Sequence, residues 1–184
     1  MSSVPNLITL ARLLMVPVIA VLLANHQYAA AFWLFLAVGF SDGLDGFIAR
    51  RYNATSAAGA LLDPVADKMS IITCAFVLAW NGVLPHWLAI PLIGRDVLML
   101  GVGMTDPRLK KGWLPPNRLG KTHAALAFAT LSITIGQAAP LFDAGVFLLP
   151  LFVLLFVSTV ASGLRYFLAW RRARHEAREG ASKP

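Results

Sequence analysis

YAAAFWLFLAVGF (residues 28–40), SDGLDGFIARRYNATSAAGALLDPVADK (41–68) and MSIITCAFVLAW (69–80) form one uninterrupted stretch of the chain. An apolar run leads into a polar centre holding four aspartates, and a second apolar run leads out again. Each run gains length from the small residues of the centre and approaches the roughly 20 residues that a helix needs to cross a bilayer. The stretch therefore reads as two antiparallel membrane helices whose polar ends meet at one surface.

The rest of the chain repeats the pattern. Of 184 residues, 58% are hydrophobic and only 14% charged, whereas a soluble domain is nearer half apolar and a quarter charged. With a mean hydropathy of +0.68, too little polar material remains to cover a water-facing surface. This argues against a cytosolic enzyme, a disordered tail and a secreted disulfide scaffold. The single cysteine, Cys74, lies in an apolar run and reads as a small buried hydrophobe.

Apolar stretches bounded by polar punctuation predict about six spans, near residues 7–23, 28–51, 64–80, 87–104, 123–139 and 144–170, the last of them long enough to outrun the bilayer. The expected fold is all-α, a polytopic membrane protein with about six transmembrane helices. One membrane domain is expected over residues 1–170, followed by a basic tail over 171–184. A cleaved signal peptide does not suit the first span, because no basic residue precedes its apolar run and Arg12 interrupts it.

Sixteen Lys and Arg against nine Asp and Glu give a net charge of +7 and a pI near 10.2. The connections at 24–27, 81–86 and 140–143 contain no Lys or Arg, while the other connections and the C-terminal end hold nearly all of them. Such asymmetry predicts cytoplasmic N- and C-termini. The positive charge thus records topology, with an added attraction for anionic membrane lipids. No nucleic-acid recognition module surrounds it, so nucleic acid is not an expected partner.

The acids point to chemistry. Asp42, Asp45, Asp63 and Asp67 lie within 26 residues. At about 100° per residue, Asp42, Asp45, Gly46 and Ala49 share one helix face, and Gly59, Asp63 and Asp67 descend one face of the next helix. Four carboxylates in one dry pocket drive each other toward protonation unless compensated. Two divalent cations would balance them, and an all-oxygen donor set suits Mg²⁺ or Mn²⁺. A metal pair is a known clamp for phosphoryl transfer. The competing interpretations are carboxylates paired with Arg50, Arg51 and Lys68 on a solvated helix end, or a transporter that uses the acids for cation or proton passage. A transporter requires acids near the membrane centre, but these lie at the basic, cytoplasmic end.

At these positions the sequence resembles the CDP-alcohol phosphatidyltransferases. Their D-x-x-D-G-x-x-A-R-x8-G-x-x-x-D-x-x-x-D signature is matched without a gap by Asp42, Asp45, Gly46, Ala49, Arg50, Gly59, Asp63 and Asp67. Pro5-Asn6-Leu7-Ile8-Thr9 with Arg12 looks like the family's opening motif. The resemblance implies that the four aspartates hold two metal ions on the diphosphate of CDP-diacylglycerol. It makes Asp67 also the base for the acceptor hydroxyl, and it lines the cytidine diphosphate site with Gly46, Ala49, Arg50 and Gly59. The implied reaction is phosphatidyl transfer to an alcohol with release of CMP, in phospholipid biosynthesis. The implied location is a bacterial inner (plasma) membrane with the active site facing the cytoplasm. A homodimer is also within the family pattern.

The stretch 61–68 looks like the branch of phosphatidylglycerophosphate synthases and cardiolipin synthases. Both take phosphate-bearing acceptors, for which Arg95, Arg118, Lys121 and Arg165 are the candidate ligands. Arg95 is the most telling, since a charge inside a span needs a ligand or a partner such as Asp96. Gly120-Lys121 resembles the G-K-x-K-T run of the glycerophosphate enzymes, although His123 replaces its second Lys. Arg95-Asp96 resembles the cardiolipin synthase type. Glycerol 3-phosphate is the expected acceptor, with phosphatidylglycerol the alternative. Gly39 and Gly43 are spaced for close helix packing.

Overall fold

A computed structural model describes the backbone over residues 3–52, 57–105 and 118–181, and side chains over 11–41, 65–66, 68–101 and 119–171. Six helices account for the described chain: α1 (Ser3–Ala24), α2 (Tyr28–Tyr52), α3 (Ala57–Trp80), α4 (His86–Thr105), α5 (Arg118–Ala138) and α6 (Gly145–Ala181). No strand occurs among the described residues. The helices extend the expected spans mainly at their polar ends. α3 begins at Ala57, so the positions of Gly59, Asp63 and Asp67 are on one helix, as the spacing predicts.

Helix neighbours follow a closed ring in the order α1, α2, α5, α6, α4, α3, with α3 and α5 also meeting across the middle. These two helices each pack on three neighbours and form the centre of the bundle. Ile71, Cys74, Ala75 and Leu78 of α3, with Ala127, Leu131 and Ile135 of α5, belong to one continuous apolar core that also takes in Ile19, Phe35, Leu88 and Leu155. Gly39 allows α2 to approach α5 closely. A Cβ there would lie 2.1 Å from Cε2 of Phe128, whose ring stacks on Phe35 at 4.9 Å. The glycine spacing at 39 and 43 thus serves, at Gly39, a contact within one chain; the side-chain surroundings of residue 43 lie outside the described residues.

The connections between α1 and α2 and between α3 and α4 are tied together. His26 (φ 58°) and Gly82 (φ 73°) adopt left-handed backbone in these turns, a conformation easier for glycine than for histidine. Asn81 Nδ2 donates to the Leu23 carbonyl at 2.8 Å and to the Tyr28 hydroxyl at 3.3 Å. His26 Nδ1 bonds the same hydroxyl at 2.8 Å.

Outside the apolar core the molecule exposes large apolar side chains and buries several polar ones. Large apolar side chains face outward on α1, α2, α3, α4 and α6, including Leu14, Val21, Trp33, Phe40, Ile90 and Leu98, with Trp80 and Val146 at 80% and 85% exposed. Arg12, Ser70, Arg95, Asp96, His123, Thr130 and Ser162 are buried. Contiguous apolar surface of this kind requires a cover other than water. By length and composition one helix among the described residues, over Gly145–Arg171, is long and apolar enough to cross a membrane; Ala11–Ala24, Tyr28–Ser41 and Lys68–Trp80 are shorter apolar helices.

Candidate active site

The two signature helices share their neighbours. Both α2 and α3 pack on α1 and on α5. Between the four helices lies a small gap of about 20 Å³ lined by Arg12, Phe35, Val38, Gly39, Ser70, Ile71 and Phe128. Asp42 lies three residues beyond Gly39 on α2, and Asp67 lies four residues before Ile71 on α3. With 5.4 Å of rise per turn, the gap sits about one helical turn below the signature positions. Arg12, buried at 4% exposure, lines its wall.

The helical backbone places Asp42, Asp45, Gly46, Ala49 and Arg50 on α2, and Gly59, Asp63 and Asp67 on α3. The side chains of all eight lie outside the described residues, as does that of Arg118. Among the described side chains no group of His, Cys, Asp and Glu is gathered to hold a metal. The chemistry of the signature donors themselves, four carboxylates and no nitrogen or sulfur ligand, fits a hard divalent cation.

Immediately after Asp67 a polar layer crosses the bundle. Lys68 Nζ of α3 is 3.0 Å from Asp96 Oδ1 of α4. The same oxygen accepts from Arg95 NH1, and Arg95 NH2 donates to Ser162 Oγ of α6 at 2.7 Å. The Arg95 stem passes 3.6 Å from where a Cβ at Gly163 would be, an ordinary van der Waals contact. One turn earlier on α6, Ser158 Oγ is 3.0 Å from Nδ1 of His123 on α5. Arg95, Asp96 and His123 are 9%, 3% and 1% exposed. Buried charges survive only when paired and hydrogen-bonded, and Asp96 provides that pairing for two cations at once.

Of the three candidate acceptor ligands whose side chains are described, Arg95 is the buried one. Lys121 on α5 and Arg165 on α6 are exposed. The Arg95–Asp96 pair was foreseeable from adjacency in sequence. Lys68, Ser158, Ser162 and His123 were not singled out as parts of one layer. The available signal was a Ser pair at i, i+4 interrupting the long apolar run of α6, which puts two hydroxyls on one face. A separate recess of about 450 Å³, lined by Ile133, Phe142, Ala144, Phe147, Pro150, Leu151 and Leu154, is wholly apolar and lies at the opposite ends of α5 and α6.

The family model of the CDP-alcohol phosphatidyltransferases matches residues 2–164, which cover every helix except the end of α6. The chain belongs to that family. Among its relatives is the cardiolipin synthase (CMP-forming) / mitochondrial hydrolase fusion protein of Schizosaccharomyces pombe, 35% identical over 184 residues that span 91% of this chain and 31% of that protein. The cardiolipin synthase (CMP-forming) of Streptomyces coelicolor is 34% identical over 146 residues, 73% of this chain and 67% of that protein. CDP-diacylglycerol--glycerol-3-phosphate 3-phosphatidyltransferase 1, chloroplastic, of Oryza sativa subsp. japonica is 34% identical over 111 residues, 60% of this chain and 34% of that protein. The chain thus spans less than a third of the fission yeast protein and about two thirds of the Streptomyces one. Membership of this family makes it a transferase of phospholipid biosynthesis.

Proposed function

We propose that this chain transfers the phosphatidyl group of CDP-diacylglycerol to the free hydroxyl of phosphatidylglycerol, forming cardiolipin and CMP. The observation that carries the reaction is the ungapped signature set on α2 and α3, one turn above a gap between four helices. The acceptor reading draws support from the two cardiolipin synthase relatives and from Arg95-Asp96. A second reading, glycerol 3-phosphate as acceptor, draws on the Oryza sativa relative and on Gly120-Lys121.

In this proposal six helices span the membrane with both termini cytoplasmic, and the signature end faces the cytoplasm. The two substrates reach it as lipids already in the bilayer. Gly46, Ala49 and Gly59 carry little or no side chain and let the cytidine diphosphate approach the helices; Arg50 offers a planar fork to its phosphates. Asp42, Asp45, Asp63 and Asp67 would hold two Mg²⁺ or Mn²⁺ ions, which supply charge stabilisation for the diphosphate. Asp67 accepts the proton of the acceptor hydroxyl as its oxygen forms a bond to the β-phosphorus. The bond from that phosphorus to the bridging oxygen breaks, and CMP leaves. Arg95, held in the buried ion cluster, supplies positive charge for the acceptor phosphate, and Arg118, Lys121 and Arg165 add positive charge to the cytoplasmic end of the bundle.

The test supplies CDP-diacylglycerol in detergent micelles with phosphatidylglycerol or glycerol 3-phosphate, with and without EDTA, and identifies the lipid product. EDTA-sensitive CMP release with cardiolipin as product is expected. Asp67→Asn is expected to lower turnover by ~10²-fold or more while the protein stays folded in the membrane. Cardiolipin formation at the unaltered rate in that variant would remove Asp67 as the base.

A further inference from the structure

His123 stands apart from the signature and from the four cationic candidates. It is 1% exposed, on the face of α5 that meets α6, and its Nδ1 is fixed by Ser158 at 3.0 Å. Its Nε2 is buried and has no hydrogen-bond partner, and the Nε of Arg95 is in the same condition. His123 lies within electrostatic range of Arg95, Asp96 and Lys68. Two polar atoms are therefore left unpaired beside one ion cluster, where burial without a partner is costly. A ligand that supplies oxygens to both would remove that cost.

The charge of the cluster limits what the ligand is. Lys68 and Arg95 bring two positive charges and Asp96 one negative, leaving a surplus of one. Histidine carries no fixed charge near neutral pH. A phosphodiester has one negative charge, which this surplus balances; a phosphomonoester approaches two. When the Ser158 hydroxyl donates to Nδ1, Nε2 holds the ring proton and donates in turn.

We infer that His123, through Nε2, hydrogen-bonds the headgroup of the acceptor lipid and, by being neutral where a lysine would be cationic, selects a phosphodiester acceptor over a phosphomonoester. The inference rests on the phosphatidyl-transfer reading above and goes beyond it in assigning acceptor choice to one side chain. His123 binds substrate here and takes no proton from it.

The experiment measures kcat and KM for phosphatidylglycerol, glycerol 3-phosphate and CDP-diacylglycerol in wild type, His123→Ala, His123→Gln and His123→Lys. His123→Ala is expected to raise the KM for phosphatidylglycerol about tenfold and leave that for CDP-diacylglycerol unchanged, which also reports a folded protein; His123→Gln recovers part of the loss. His123→Lys is expected to shift the kcat/KM ratio toward glycerol 3-phosphate by about tenfold or more. An unchanged acceptor KM in His123→Ala, or an unchanged ratio in His123→Lys, with cardiolipin still formed, overturns the role of His123 alone. A wild type that forms only phosphatidylglycerophosphate overturns the acceptor reading, and the charge match with it.

Discussion

Asp96 accepts from Lys68 and from Arg95 with one carboxylate oxygen. Removing one partner of a buried ion pair leaves an uncompensated charge, at a cost of ~3–5 kcal/mol. Asp96→Asn leaves two such cations and is expected to destabilise the protein by at least that much, read as a fall in the detergent melting temperature. Lys68→Met removes only one partner, and the Lys68 side chain is 21% exposed. Partial solvent screening reduces its loss to ~1 kcal/mol or less, so the two variants should differ clearly. Equal melting temperatures would mean that Asp96 is not the hub of the layer. At this scale much was legible in the sequence. A charged pair such as Arg95-Asp96 inside an apolar stretch announces itself, because the membrane makes each charge expensive. The partners Lys68, Ser158 and Ser162 did not, because a contact between helices depends on how each is rotated, which no local spacing states.

Among the elements, α2 and α5 illustrate packing set by one missing side chain. The Phe128 ring is held by Phe35 at 4.9 Å and by the edge of Phe40 at 6.5 Å, so it has little freedom to yield to a new Cβ 2.1 Å away. Overpacking of this kind costs ~1–3 kcal/mol. Gly39→Ala is expected to lower the melting temperature, and Gly39→Ala with Phe128→Leu to regain part of the loss; no loss in the single variant would show that the helices separate without cost. Helix existence and order were readable from apolar stretches, and the face shared by Gly59, Asp63 and Asp67 was readable from 3.6-residue periodicity. The beginning of α3 at Ala57 was less so, because Pro64 and the small residues before it resemble a connection.

For the molecule as a whole, the proposed topology draws on buried polar side chains, outward-facing apolar ones and the Lys/Arg asymmetry, and labelling tests it. With Cys74, the single cysteine, changed to Ala, single cysteines at Asn25, Gly82 or Asp143 are expected to react with an impermeant thiol reagent from outside intact cells. Cysteines at Lys110 or Arg174 are expected to react only after permeabilisation. Labelling of Lys110→Cys from outside would invert the topology. The ring of helix neighbours was not readable from composition. Chain order places α2 after α1, but the closing contact runs from α3 back to α1, and Asn81 is the residue that fastens it.

That fastening has a bearing on how the protein is made. α1 carries Arg12, and an arginine within a span costs up to ~2.5–3.5 kcal/mol to insert. The helices around it are α2, α3 and, through Phe128, α5, and Asn81 caps the Leu23 carbonyl at the far end of α1. Until these later helices and Asn81 have been translated, α1 lacks both the burial of its arginine and the clasp at its far end. Its final seating therefore waits on helices that follow it in the chain.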